Sequence, residues 1–190
     1  MLLLIVGLVL FLGTHSVAIA APRWRARTIE RIGERRWKGA YSLIAVIGLV
    51  LVIVGYGEAR QQPVLLYATP VYMRHVTALL MLPVFPLVLA AYFPGRIKAA
   101  LKHPMLAGVK LWAFAHLLAN GMLADVLLFG GLLAWAVADR ISLKRRPQKP
   151  IPQVGAPSVR NDVIAVGAGL VLYAAFVFRL HYWLIGIPIA

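Results

Sequence analysis

Long apolar runs alternate along this chain with short polar connections. About 20 mostly apolar residues in a helix cross the ~30 Å hydrocarbon core of a bilayer. Six stretches fit: 1–21, 39–57, 75–93, 104–120, 122–138 and 161–185. They predict an all-α fold, a polytopic membrane helical bundle with six transmembrane helices in one domain. Pro83 and Pro86 fall inside the third stretch and predict a kink there. Pro104 suits a first helical turn. Asn120–Gly121 is a turn signal, so helices four and five are expected to form a tight hairpin. Residues 147–159, "PQKPIPQVGAPSV", are expected to form an irregular linker. The absence of a convincing internal repeat weakens an inverted-repeat transporter reading.

Composition supports the membrane class. The 190 residues are 62% hydrophobic, against roughly 45–50% in soluble domains. The net charge of +14 would suggest nucleic acid in a soluble protein. Here the basic residues sit between apolar runs, so no nucleic-acid partner is expected, and the lipid bilayer is the partner instead. The connection after helix one carries Arg23, Arg25, Arg27, Arg31, Arg35, Arg36 and Lys38. That after helix three carries Arg96, Lys98 and Lys102, and that after helix five Arg140, Lys144, Arg145, Arg146, Lys149 and Arg160. These sixteen face two on the opposite side, Arg60 and Arg74. The basic connections are therefore expected to be cytoplasmic and both termini outside, in a bacterial cytoplasmic membrane. The chain has no cysteine, which excludes disulfides and thiolate chemistry.

"AIAA" at residues 18–21 resembles a signal-peptidase site. No Lys or Arg precedes the apolar run and a basic cluster follows it, the reverse of a cleaved signal's flanks. Residues 1–21 are read as a retained helix.

Depth separates the five histidines. His75, His103 and His181 fall near predicted helix ends, where an imidazole reaches water. At 1.5 Å per residue, His15 lies roughly 9 Å and His116 roughly 18 Å from the inner ends of helices one and four. Each is either a buried histidine hydrogen-bonded to a neighbouring helix or a metal ligand. Zinc takes three or four protein ligands, and no deep Asp, Glu or Cys accompanies the pair. Haem takes one or two axial ligands because the porphyrin supplies four nitrogens. Two deep histidines match a six-coordinate haem b. Trp112, one turn before His116, is placed to line such a pocket, and Ala113 and Ala119 leave room for a flat ring or serve ordinary helix packing. Thr14 and Ser16 are candidates to orient the His15 imidazole.

Arg179 and Asp125 lie one to two turns from the outer ends of helices six and five. They pair with each other, or Arg179 meets a ligand carboxylate such as a haem propionate.

"THSV" in helix one, "RRWKGAYSLIAVIGL" at 35–49, "HPMLAGVKLWAFAHLLANG" at 103–121 and "DVLLFGGLLAWAVADR" at 125–140 together resemble the NnrU family of bacterial membrane proteins. That family is linked to nitrite and nitric oxide metabolism in denitrifiers and is similar to the plant zeta-carotene isomerase. The resemblance covers about residues 1–188 and implies a haem b held by two histidines, which match His15 and His116. A cysteine proposed as a switching ligand in the plant enzyme corresponds to Ala113, so a thiolate switch is not carried over. The resemblance implies a haem-dependent isomerase or oxidoreductase, if an enzyme, acting on a lipophilic polyene or on nitric oxide. The alternative is a non-catalytic transporter or an assembly factor for nitrite or nitric oxide reductases.

Overall fold

The computed structural model describes residues 1–145 and 157–189. Most of the proline-rich connection expected at 147–159 lies outside the described residues. In chain order the helices are α1 (Leu2–Ala20), α2 (Pro22–Ile32), α3 (Glu34–Ala59), α4 (Met73–Met81), α5 (Val84–Ala90), α6 (Arg96–Leu101), α7 (Pro104–Ala119), α8 (Leu123–Arg145) and α9 (Val159–Ile185). The described residues contain no strand, only an isolated antiparallel bridge between Leu65 and Met122. The fold is all-α.

Leu2–Ala20, Glu34–Ala59, Met73–Ala90, Leu123–Arg145 and Val159–Ile185 are long and apolar enough to cross a membrane. The chain is a multi-pass membrane protein. The fourth apolar stretch forms α7, 16 residues long. At 1.5 Å per residue it reaches about 24 Å, short of a full crossing. Large apolar side chains lie open on the helices, such as Ile53 at 63% and Val171 at 69% exposure, because lipid is as apolar as they are.

The chain divides into two compact units, Met1–Tyr67 with Met122–Arg146, and Ala68–Gly121 with Pro147–Ala190. In the first, α1 packs along α3. A Cβ on Gly48 would lie 2.7 Å from the Phe11 backbone nitrogen, and one on Gly55 would meet Leu4 backbone. These glycines, seven residues apart on one face of α3, let the backbones approach as only small residues allow. α8 also packs on α1. The basic connection after α1 is largely the helix α2, started by Pro22. It presents Arg23, Arg27 and Arg31 at helical spacing along one side.

In the second unit α5 packs between α7 and α9. The third apolar stretch breaks at Leu82–Pro83, while Pro86 sits inside α5. Asp162 of α9 caps α6: its Oδ2 accepts from the Arg96 amide at 2.8 Å and its Oδ1 from the Ile97 amide at 3.1 Å. The Thr77 hydroxyl donates to the Ala115 carbonyl at 2.8 Å and ties α4 to α7.

Asn120–Gly121 does not form the expected tight turn. Asn120 is extended (φ −127°, ψ 118°), and the described glycines with positive φ are Gly33 and Gly186. The Asn120 side chain instead donates to the His116 carbonyl at 2.9 Å. The chain passes from the second unit back to the first at Gly121–Met122.

Candidate functional site

His15 lies five residues before the end of α1. Its Nδ1 is 2.7 Å from the Phe11 carbonyl oxygen one turn back. A carbonyl only accepts, so Nδ1 carries the proton and Nε2 of the neutral ring keeps its lone pair. The ring packs against Phe11 at 4.3 Å, Tyr41 of α3 at 5.4 Å and Trp135 of α8 at 5.7 Å, the last two edge to face. Aromatic rings from three helices thus touch the imidazole, which is half-buried. Thr14 does not orient it: its hydroxyl donates to the Leu10 carbonyl at 2.6 Å on its own helix. The carbonyl of Phe11 does that work, because residues four apart on a helix meet while adjacent ones diverge.

His116 lies in the last turn of α7, in the second unit. Its Nδ1 is 2.8 Å from the Trp112 carbonyl, and the Trp112 ring lies tilted against it at 5.2 Å. The same backbone donation fixes the same tautomer as in His15. Ala113 is fully buried, so its small side chain serves helix packing. Tyr41 and Trp135 escaped sequence reasoning because they reach His15 from other helices, and neither has a spacing relation to it.

Arg179 is exposed and sits inside a π-helical segment of α9, Phe176–Leu180. Asp125 directly precedes another, Val126–Gly130 in α8. Such widened turns recur at functional sites. Asp125 is 3% exposed. Its Oδ1 accepts from the Tyr56 hydroxyl at 2.6 Å and its Oδ2 from the Met122 amide at 3.0 Å. The Arg60 guanidinium lies over the Tyr56 ring at 5.7 Å. Burial, and then the Asp125 carboxylate, push the nearby Tyr67 phenol above its ordinary pKa. The carboxylate thus has its own polar setting within the first unit.

His75 accepts a long hydrogen bond from Arg74 at 3.4 Å, and His181 Nδ1 donates to the Ile187 carbonyl at 2.8 Å. Both bonds are exposed at the protein surface. His103 immediately precedes α7. An apolar groove of about 340 Å³ in the second unit is lined by Leu82, Pro83, Pro86, Leu87, Val166 and others, with no histidine among them. Among the described residues no three His, Asp or Glu side chains converge as a metal cage. The metal-binding potential therefore rests on single imidazoles.

The sequence pattern of the family described as NnrU protein matches residues 3–189, and the chain belongs to that family. No curated protein and no solved structure matches it.

Proposed function

We propose that this NnrU-family chain is a membrane haem b protein linked to nitrite and nitric oxide metabolism, with His15 and His116 as axial ligands. The observation that carries this reading is the matched pair of backbone hydrogen bonds. In each histidine Nδ1 donates to the carbonyl four residues back, and metal-ligating histidines characteristically hold their second nitrogen in this way. The aromatic rings around His15 supply apolar surface of the kind a macrocycle would meet. Trp112 lines the pocket on the His116 side, and Arg179 pairs with a propionate. Held by the His15 and His116 imidazoles, haem would supply one-electron chemistry. The chain's own part is to hold two imidazoles in a fixed orientation through the Phe11 and Trp112 carbonyls. The concentration of basic residues in three connections supports a cytoplasmic location for those connections.

The test is an optical spectrum of purified full-length protein, oxidised and reduced. A Soret band and a b-type haemochrome are expected, lost in His15→Ala and in His116→Ala and retained in His75→Ala. Folded wild-type protein that stays colourless after haem supply would overturn the reading. Stable co-purification with a nitrite or nitric oxide reductase, without stoichiometric haem, would favour an assembly role.

A further inference from the structure

The apolar groove of the second unit follows the seam between α5 and α9. The two helices touch where a Cβ on Gly169 would strike the Pro86 backbone. Beside that contact lies the cavity of about 340 Å³. A second cavity of about 370 Å³ adjoins it at Val166 and reaches Val163, Gly167 and Asp162. Asp162, Val166 and Leu170 are four residues apart and form one stripe on α9, about 12 Å long at 1.5 Å per residue. Leu82, Pro83 and Leu87 supply the other wall. Val166 and Leu170 stay exposed, so the groove opens at the surface. Its walls belong to Met73–Ala90 and Val159–Ile185, which are apolar and long enough to cross a membrane. In that setting a hydrocarbon chain, not water, is the medium that fills it.

The Asp162 end of the groove differs in charge. Asp162 bonds the Arg96 and Ile97 amides, which brings Arg96 to this end, and Arg160 lies two residues before Asp162. Both arginines are exposed and enter no ion pair among the described residues. The Asp162 oxygens are already engaged by the α6 amides, and two guanidinium groups outnumber one carboxylate. An apolar trough that ends at two cations complements an anionic amphiphile. We propose that the α5–α9 groove binds one acyl chain of an anionic phospholipid, with the lipid phosphate against Arg96 and Arg160. Guanidinium groups bind phosphate through paired N–H donors, and the chain lies along Val166 and Leu170. Gly167 keeps the groove open: a Cβ there meets nothing within 4 Å.

The experiment places full-length protein in phosphatidylcholine nanodiscs with a trace of phosphatidylglycerol or phosphatidylcholine carrying a diazirine in its acyl chain. After photolysis the labelled peptides are mapped by mass spectrometry. Phosphatidylglycerol should label the α5 and α9 residues of the groove saturably, and the phosphatidylcholine probe should not saturate. Gly167→Leu fills the groove and should lower that label about 10-fold, the loss that removal of a buried apolar contact of this size gives. Gly57→Leu, on α3 where a Cβ likewise meets nothing within 4 Å, should leave it unchanged. Arg96→Gln with Arg160→Gln should lower phosphatidylglycerol labelling about fivefold or more, the scale of one basic residue beside an anionic headgroup, and leave phosphatidylcholine labelling as it was. Equal labelling by the two lipids, or a label that survives Gly167→Leu, would overturn the proposal. A wild-type dimer that dissociates in Gly167→Leu, with no saturable lipid label, would assign the groove to a second copy and overturn it too. If Gly167→Leu does not fold, the arginine pair decides at the surface: phosphatidylglycerol labelling unchanged by its loss overturns the site.

Discussion

Tyr56 donates its hydroxyl proton to Asp125 at 2.6 Å across 69 residues of sequence. The bond joins the C-terminal end of α3 to the start of α8 and satisfies one oxygen of a carboxylate that is 3% exposed. The second oxygen takes the Met122 amide. A buried carboxylate is tolerated when its acceptor sites are filled, and here a phenol and a backbone amide fill them.

Removing the phenol strands that carboxylate. Tyr56→Phe should destabilise the protein by about 1–3 kcal/mol, the range for a buried polar group that loses its partner. Asp125→Asn should cost less than Asp125→Ala, because the amide oxygen still accepts. The double variant Tyr56→Phe with Asp125→Asn should fall short of the sum of the singles. Equilibrium unfolding in mixed micelles measures all four variants. Additive losses would show that the two side chains act independently.

The α1–α3 seam gives a matched pair of glycine substitutions. Gly55→Ala places a methyl group against the Leu4 backbone, whereas a Cβ on Gly57 meets nothing within 4 Å. Gly55→Ala should cost about 1–3 kcal/mol or more, as overpacking does. Gly57→Ala should be neutral or stabilising by about 0.5–1 kcal/mol through helix propensity. Thermal unfolding midpoints in detergent compare them, and equal shifts would contradict the close approach.

Asp162 acts as a cap supplied from another helix. Asp162→Ala removes both acceptors at the start of α6 and should cost about 0.5–2 kcal/mol. Asp162→Asn keeps one carbonyl acceptor and should recover part of that. The Asn161 side chain, which donates to the Pro94 carbonyl at 2.9 Å, gives an independent comparison through Asn161→Ala. Amide exchange at Arg96 and Ile97 reads the cap directly, and protection unchanged in Asp162→Ala would refute it.

Orientation can be read by single-cysteine labelling, since the natural chain has no cysteine. Arg27→Cys in α2 should react with a membrane-impermeant maleimide only after cells are permeabilised. Gln62→Cys, between α3 and α4, should react in intact cells. The reverse pattern would contradict the charge argument.

Much of the architecture is legible in the chain. The apolar runs locate all six helical stretches because lipid forces every spanning backbone to bond internally, and helices do this within one segment. The ends are less legible. Residues 34–38 extend α3 ahead of the apolar run, back to Gly33, whose φ of 83° breaks the chain just before Glu34. The Asn120–Gly121 turn is misread for a related reason: the asparagine amide is drawn to the His116 carbonyl of its own helix. α2 is hidden in what reads as a charged connection, since its arginines mask a helical repeat only 11 residues long.

For the candidate site, sequence alone determined which imidazoles were worth attention, because a histidine within an apolar run is costly and stands out. The backbone carbonyls of Phe11 and Trp112 that take the Nδ1 protons came from the structure, whereas the sequence offers Thr14 and Ser16 to orient His15. Only the tertiary structure decided that Tyr41 and Trp135 touch His15, that Ala113 is consumed by packing, and that Asp125 is held by Tyr56. Those contacts join helices distant along the chain. Their choice depends on where glycines such as Gly48 and Gly55 let two backbones close together, a relation between faces that helical periodicity on one strand of sequence does not contain.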